Sequence, residues 1–415
     1  MPSRKGRALA GIVDQGVSSG TNFLTVLIPG LLFGPEDAGT LVLALSLGYI
    51  ALGVQRAMVG DPLLAYASAF EEDERRTLVR DATTTALGLG VLAGLIGVIA
   101  WSTGSALTAD MIWLAPWLPA VLVQDAGRYA FLAARRPDHA LILDVVWALA
   151  QAAAVVVVLL TGHRTHGAFA AAWGIGALAG AIAYVVISGV NPLRGRPLEW
   201  FRQAGHLSGW FTVTAVLAQT QYYLILFVVA IVLDRAATGG LRYMQLLVLQ
   251  PVQVVLLAAT SLLVPRAARL AATGDAGALA HSTGRLARLF GPAALLVLVA
   301  IPLRHVAVEL IFPRFASFAG VLVPVACSAA LYTIQTPFTA ALRGMQRARA
   351  LFVVQILFTV TTVPAALAGA VLGGAVGAAW GLLAGAVVQL AALLVNYRAG
   401  LIQLRAGRLA TAPVD

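Results

Sequence analysis

Cysteine and lysine are almost missing from this 415-residue chain, and charge of either sign is scarce. The single Cys327 excludes an intramolecular disulfide and any cysteine-based metal cluster. Lys5 is the only lysine, so every other basic residue is an arginine, a bias that suits a high-GC bacterial coding sequence. Charged residues make up 11% of the chain, against roughly a quarter in an ordinary globular domain. With 60% hydrophobic residues and a mean hydropathy of +0.87, a soluble fold is excluded. Catalytic signatures are missing as well. There is no Walker loop, no HExxH and no serine nucleophile elbow, so the chain is read as a non-enzyme with no cofactor and no metal. His163 and His166 share a short loop without a third metal ligand nearby.

What the chain has in abundance is apolar runs of about 20 residues, each long enough to cross a hydrocarbon core of about 30 Å as a helix. They predict an all-α integral membrane protein of about twelve transmembrane helices. The spans fall near 12–33, 38–60, 82–101, 111–133, 140–161, 167–188, 208–233, 237–263, 286–303, 316–342, 350–370 and 373–395. The first run follows Arg4, Lys5 and Arg7 but is too long for a signal peptide's apolar core, so it is read as a retained span.

The formal charge of +10 would suggest nucleic acid in a soluble protein, but here the charges lie between spans, and no nucleic-acid partner is expected. With the N-terminus inside, the cytoplasmic segments carry twenty-one basic residues and the external segments five: Arg164, Arg235, Arg242, Arg304 and Arg314. Basic residues collect on the cytoplasmic side of a membrane protein. Both termini are therefore predicted to be cytoplasmic. The external loops are short and leave no room for an external catalytic domain.

The cytoplasmic stretch around Asn191-Pro192-Leu193-Arg194-Gly195-Arg196-Pro197 divides the chain. It predicts an N-terminal six-helix bundle (1–190), a linker (191–207), a C-terminal six-helix bundle (208–397) and a cytoplasmic tail (398–415). Two six-span halves suggest a transporter built on a parallel repeat, with its site between the repeats. Weak self-similarity agrees. Span 2 leaves through Asp61-Pro62 and span 8 through Val264-Pro265, while spans 4 and 10 carry Gln124 and Gln335 and leave through arginines. Pro29, Pro251 and Pro364 lie inside spans, where each frees a backbone carbonyl and kinks its helix.

Ionised groups at membrane depth are costly unless paired or hydrated, so each demands an explanation. Asp14, Arg56, Asp125, Arg128 and Asp144 all fall in the cytoplasmic third of the first half. Asp125 and Arg128 are three residues apart on one helix, close enough to pair. Three readings stand side by side: a structural ion-pair network, a hydrated cavity whose arginines bind an anionic head group, or an ion-coupling relay through Asp14, Asp125 and Asp144. Arginine's planar fork suits phosphate oxygens and keeps its charge when buried. The second half shows neutral polar stripes instead: Gln219, Tyr222, Tyr223, Gln250, Gln253 and Gln335. These side chains either face a glycan or join helices to one another.

The first external turn, Leu32-Phe33-Gly34-Pro35-Glu36-Asp37-Ala38-Gly39, resembles the LGPxxFG-type turn of polysaccharide and lipid-linked oligosaccharide flippases of the MOP superfamily. Leu310-Ile311-Phe312-Pro313-Arg314-Phe315 is similar to that family's LLFGxxF turn, with Pro313 where glycine is usual. Gln124-Asp125 through Arg128, followed by Ala134-Arg135-Arg136-Pro137 and Asp144-Val145-Val146-Trp147, is similar to the span 4 to span 5 region of polysaccharide exporters. The resemblance implies a bacterial plasma-membrane flippase that moves a polyprenyl-diphosphate-linked oligosaccharide by alternating access. Membrane lipid, the polyprenyl-linked glycan and glycan-assembly enzymes would be its partners. It also implies a cation-lined cavity, for which Arg56 and Arg128 are the candidates. The alternative within the superfamily is a cation-coupled multidrug antiporter using Asp14 and Asp144. A membrane glycan polymerase or ligase is the rival from another class, disfavoured by the short external loops.

Overall fold

The computed structural model describes residues 4–66, 72–204 and 209–406, and among them the side chains of 16, 17, 20–64, 73–203, 213–260 and 262–406. Each apolar run becomes helix, because a backbone in lipid must satisfy its hydrogen bonds internally. In chain order the helices are α1 (Arg4–Leu32), α2 (Pro35–Gln55), α3 (Asp61–Tyr66), α4 (Glu72–Ser102), α5 (Met111–Leu114), α6 (Leu118–Ala133), α7 (Pro137–Thr161) and α8 (His166–Ser188). They continue with α9 (Pro197–Ala204), α10 (Gly209–Val232), α11 (Arg235–Ala272), α12 (Ala276–Leu298), α13 (Arg304–Ile311), α14 (Leu322–Gly344) and α15 (Ala348–Arg405). A π-helical turn, Arg56–Gly60, joins α2 to α3. No strand occurs among the described residues.

Among the described residues, eight helices are long and apolar enough to cross a membrane. The 58 residues of α15 hold both of the last two expected spans, divided at Gly373 and Gly374. Gly374 has φ +61° and ψ −146°, a conformation that a side chain would clash with. The turn between α1 and α2 falls at Phe33 and Gly34, where the Gly-Pro pair breaks the helix, and Glu36 and Asp37 occupy the first turn of α2.

The packing is the inverse of a water-soluble bundle. Large apolar side chains point outward, among them Leu160, Val186, Leu310 and Leu372. The buried contacts are dominated by alanine and glycine, as expected where lipid competes equally for leucine and only close backbone approach gains contact.

Packing divides the chain into two units. One comprises Met1–Leu32 and Thr40–Tyr223, the other Phe33–Gly39 and Leu224–Asp415. In the first unit α9 lies on α4, because Asp81 accepts the Arg196 N–H at 2.9 Å and Thr84 Oγ1 accepts that of Gly195 at 3.0 Å. In the second unit the two arms of α15 meet through Gly377, Gly381 and Gly385, spaced four apart. A Cβ at these positions would strike the Gly369 carbonyl, the Ala365 carbonyl and Thr362 Oγ1 respectively.

Gly381→Ala is therefore expected to lower stability by about 1–3 kcal/mol through overpacking. Gly88→Ala in α4, where a Cβ meets nothing within 4 Å, is expected to be neutral or stabilising. Thermal unfolding in detergent measures both, and equal midpoints for the two variants would contradict the close approach at Gly381.

Candidate functional site

Several polar residues of the first unit converge on one pocket. α1 contributes Thr21 and Asn22, α2 and the π-turn Leu52 and Arg56, α6 Gln124 and Asp125, and α7 Asp144 and Trp147. Helical spacing accounts for part of the convergence: Leu52 and Arg56 are four apart and Asp144 and Trp147 three apart, so each of these two pairs shares a helix face.

Two ion pairs dominate. Asp125 grips Arg56 in a bidentate fashion, with Nη2–Oδ1 at 2.7 Å and Nε–Oδ2 at 3.0 Å. Arg128 Nε lies 3.1 Å from Asp144 Oδ2, and Gln124 Nε2 donates to the other oxygen, Oδ1, at 2.9 Å. Asp125 and Arg128, neighbours on α6, thus each reach a partner on another helix, and the charges stitch α6 to both of its flanking elements. The two pairs differ in exposure. The Arg56 side chain is 37% exposed, whereas Asp125, Arg128 and Asp144 are 4%, 8% and 5% exposed. Asp125 engages the Nε–Nη2 edge of Arg56, so the Nη1 side of the guanidinium is not part of that grip.

A neutral chain of hydrogen bonds extends the network. Trp147 Nε1 donates to Gln151 Oε1 at 2.8 Å, and Gln151 Nε2 donates to Thr25 Oγ1 at 2.8 Å, tying α7 to α1. From Trp147 a line of rings runs through Trp173 and Tyr49 to Tyr223 and Tyr222, with centroid separations of 6.0, 6.4, 5.5 and 5.0 Å.

The neutral polar residues singled out from sequence are placed as follows. Tyr223 is buried and stacked on Tyr49, and Gln219 donates to the Tyr49 carbonyl at 3.1 Å, so both hold the first unit together. Gln335 donates to the Ala386 carbonyl at 2.9 Å and joins α14 to α15. Gln250 accepts from Arg242 at 3.4 Å, and Gln253 is exposed. The side chain of Asp14 lies outside the described residues. Arg242 corrects the expectation that only the first half buries charge. Counted with an external loop, it is 4% exposed and stands two turns inside α11, whose N-terminus is capped by Asp234. The loop count placed it by its distance from Asp234 and could not see which face of the helix it occupies. His166 pairs with Asp110 at 2.6 Å.

Removing one member of a buried ion pair strands the other, at a cost of about 3–5 kcal/mol. Asp144→Asn takes one carboxylate from the buried Arg128 and is expected to cost up to that figure. Asp125→Asn strands Arg56, which reaches water, and is expected to cost less than half as much. Unfolding midpoints of the two variants compare them directly, and a larger loss for Asp125→Asn would contradict the assigned difference in burial.

No protein-family model matches the sequence, and no curated protein matches it either. Solved structures do resemble it. An inward-facing multidrug resistance MATE family transporter of the MOP superfamily superposes with a TM-score of 0.74 at 14% identity, covering 97% of this chain and 96% of the other. The lipid II flippase MurJ, in an inward closed conformation, also gives 0.74, at 10% identity, covering 97% and 90%. A MOP superfamily transporter from Pyrococcus furiosus, described as having a binding pocket of reverse polarity, gives 0.66 at 13% identity, covering 97% and 96%. Over nearly its whole length, this multi-pass membrane chain has the fold of the MOP-superfamily transporters.

Proposed function

We propose that the protein is a flippase for a polyprenyl-diphosphate-linked oligosaccharide and that Arg56 holds the diphosphate head group. The observation that carries this reading is the posture of Arg56. One edge of its guanidinium is fixed by Asp125, the side chain remains 37% exposed at the cavity, and the Nη1 side is directed away from the carboxylate. A planar fork held in place by one anion is preorganised for the oxygens of a second. Arg128, buried against Asp144, supports the site by fixing α6 to α7.

Each arginine of the empty site is paired with its own aspartate. A diphosphate approaching Arg56 competes with Asp125 for the same cation, so the guanidinium keeps an anionic partner in both states. The resemblance of the Leu32–Gly39 turn and of the span 4 to span 5 region to polysaccharide exporters supports the glycan-lipid substrate over a drug-like one.

In cells that depend on this protein for a surface glycan, Arg56→Gln is expected to abolish export with membrane insertion intact, and Arg56→Lys to retain a minor fraction, since an ammonium keeps the charge and loses the fork. Mass spectrometry of the purified protein is expected to find a polyprenyl diphosphate. Normal export by Arg56→Gln would remove the head-group role, and a co-purifying drug-like cation would point to antiport instead.

A further inference from the structure

Pro62 stands four residues after Met58, where an α-helix needs an N–H to donate to the Met58 carbonyl. Proline has no N–H, and its ring crowds that carbonyl. At this point α2 gives way to the π-turn Arg56–Gly60, closed by the Asp61 N–H donating to the Arg56 carbonyl across five residues. The Met58 carbonyl receives a side chain instead: the indole Nε1–H of Trp200, at 3.1 Å and 142 residues further along the chain.

Trp200 belongs to α9, in the stretch that the sequence marks as a linker. It is fully buried in a cluster with Val59 and Leu63, while Asp81 and Thr84 anchor the chain just before α9 through the backbone of Arg196 and Gly195. Gln55, the residue before the π-turn, is 0% exposed, and neither its amide nitrogen nor its amide oxygen finds a hydrogen-bond partner among the described residues. A buried amide left unsatisfied persists only where the surroundings hold the backbone in place. π-turns concentrate at functional sites, and this one begins at the arginine of the cavity.

We infer that Trp200 is a positioning residue for Arg56. Its N–H replaces the donor that Pro62 lacks and holds the π-turn that aims the guanidinium at Asp125 and the cavity. The cytoplasmic connection between the halves of the chain is thereby tied to the head-group ligand. The functional consequence rests on the reading of Arg56 as that ligand, and the geometric claim does not.

The test uses the full-length protein in nanodiscs, with amide hydrogen exchange across residues 57–63 and binding of inorganic pyrophosphate as separate readouts. Trp200→Phe keeps the ring and deletes the donor. It is expected to speed exchange in this segment and weaken pyrophosphate binding, each by about five- to tenfold, the worth of one hydrogen bond. In a Pro62→Ala background residue 62 regains an N–H for Met58, so Trp200→Phe is expected to change both readouts by less than about twofold, the non-additivity that marks coupled residues. An equal penalty in both backgrounds, or unchanged exchange in Trp200→Phe, would overturn the inference. Should Trp200→Phe alone fail to fold, the double variant is expected to restore folded yield, and no recovery would overturn it too. Equal pyrophosphate binding by wild type and Arg56→Gln would instead defeat the head-group reading, while exchange still decides the role of Trp200.

Discussion

A guanidinium and a carboxylate placed inside a bundle of lipid-facing helices lose their water, at a cost of several kcal/mol, unless each finds the other. In the first unit this constraint is met twice, by Arg56 with Asp125 and by Arg128 with Asp144. The rest of that interior follows. α6 is held between the π-turn and α7, Gln124 completes the coordination of Asp144, and the Trp147–Gln151–Thr25 relay draws α1 against α7. The pairs are alike in chemistry and unlike in access, and the difference assigns their roles. The sealed pair fastens helices, whereas the open one leaves part of its arginine toward the cavity.

Holding Arg56 in that posture takes more than its counter-ion. The turn that carries it departs from α-helical geometry beside a proline, and the missing donor is made up from a tryptophan on the far side of the unit's sequence. Elsewhere the fold relies on close contact of small residues, as in the arms of α15, where three glycines let backbones approach side chain and carbonyl directly. Small-residue packing gives helices fixed neighbours without polar groups, and the polar groups are thereby free to gather at one depth.

Much of the fold was legible because lipid imposes a simple rule: an apolar run of about 20 residues has to be helix. The Gly34-Pro35 break, the turn at Phe312 and the convergence of Asp125, Arg128 and Asp144 could all be read along the chain. Partner choice could not. Asp125 and Arg128 look like an i,i+3 pair until the crossing of helices brings Arg56 to one and Asp144 to the other. Tyr223 and Gln335, whose composition fits either a glycan-facing stripe or contacts between helices, make a ring stack and a bond to a backbone carbonyl. Arg242 is buried on α11, which a count of charges along the chain could not show. Trp200 left one faint signal, Pro62 in a run otherwise helical, which announces an orphaned carbonyl without naming its donor.

In the proposed cycle Arg56 exchanges its carboxylate partner for a phosphate, and a cryo-EM structure of the protein in nanodiscs with a polyprenyl-diphosphate glycan would show that exchange. The expected result is a phosphate oxygen within hydrogen-bond distance of the Arg56 guanidinium and the Arg56–Asp125 bidentate contact loosened, with Arg128–Asp144 intact. A diphosphate bound away from Arg56, with both ion pairs unchanged, would contradict it.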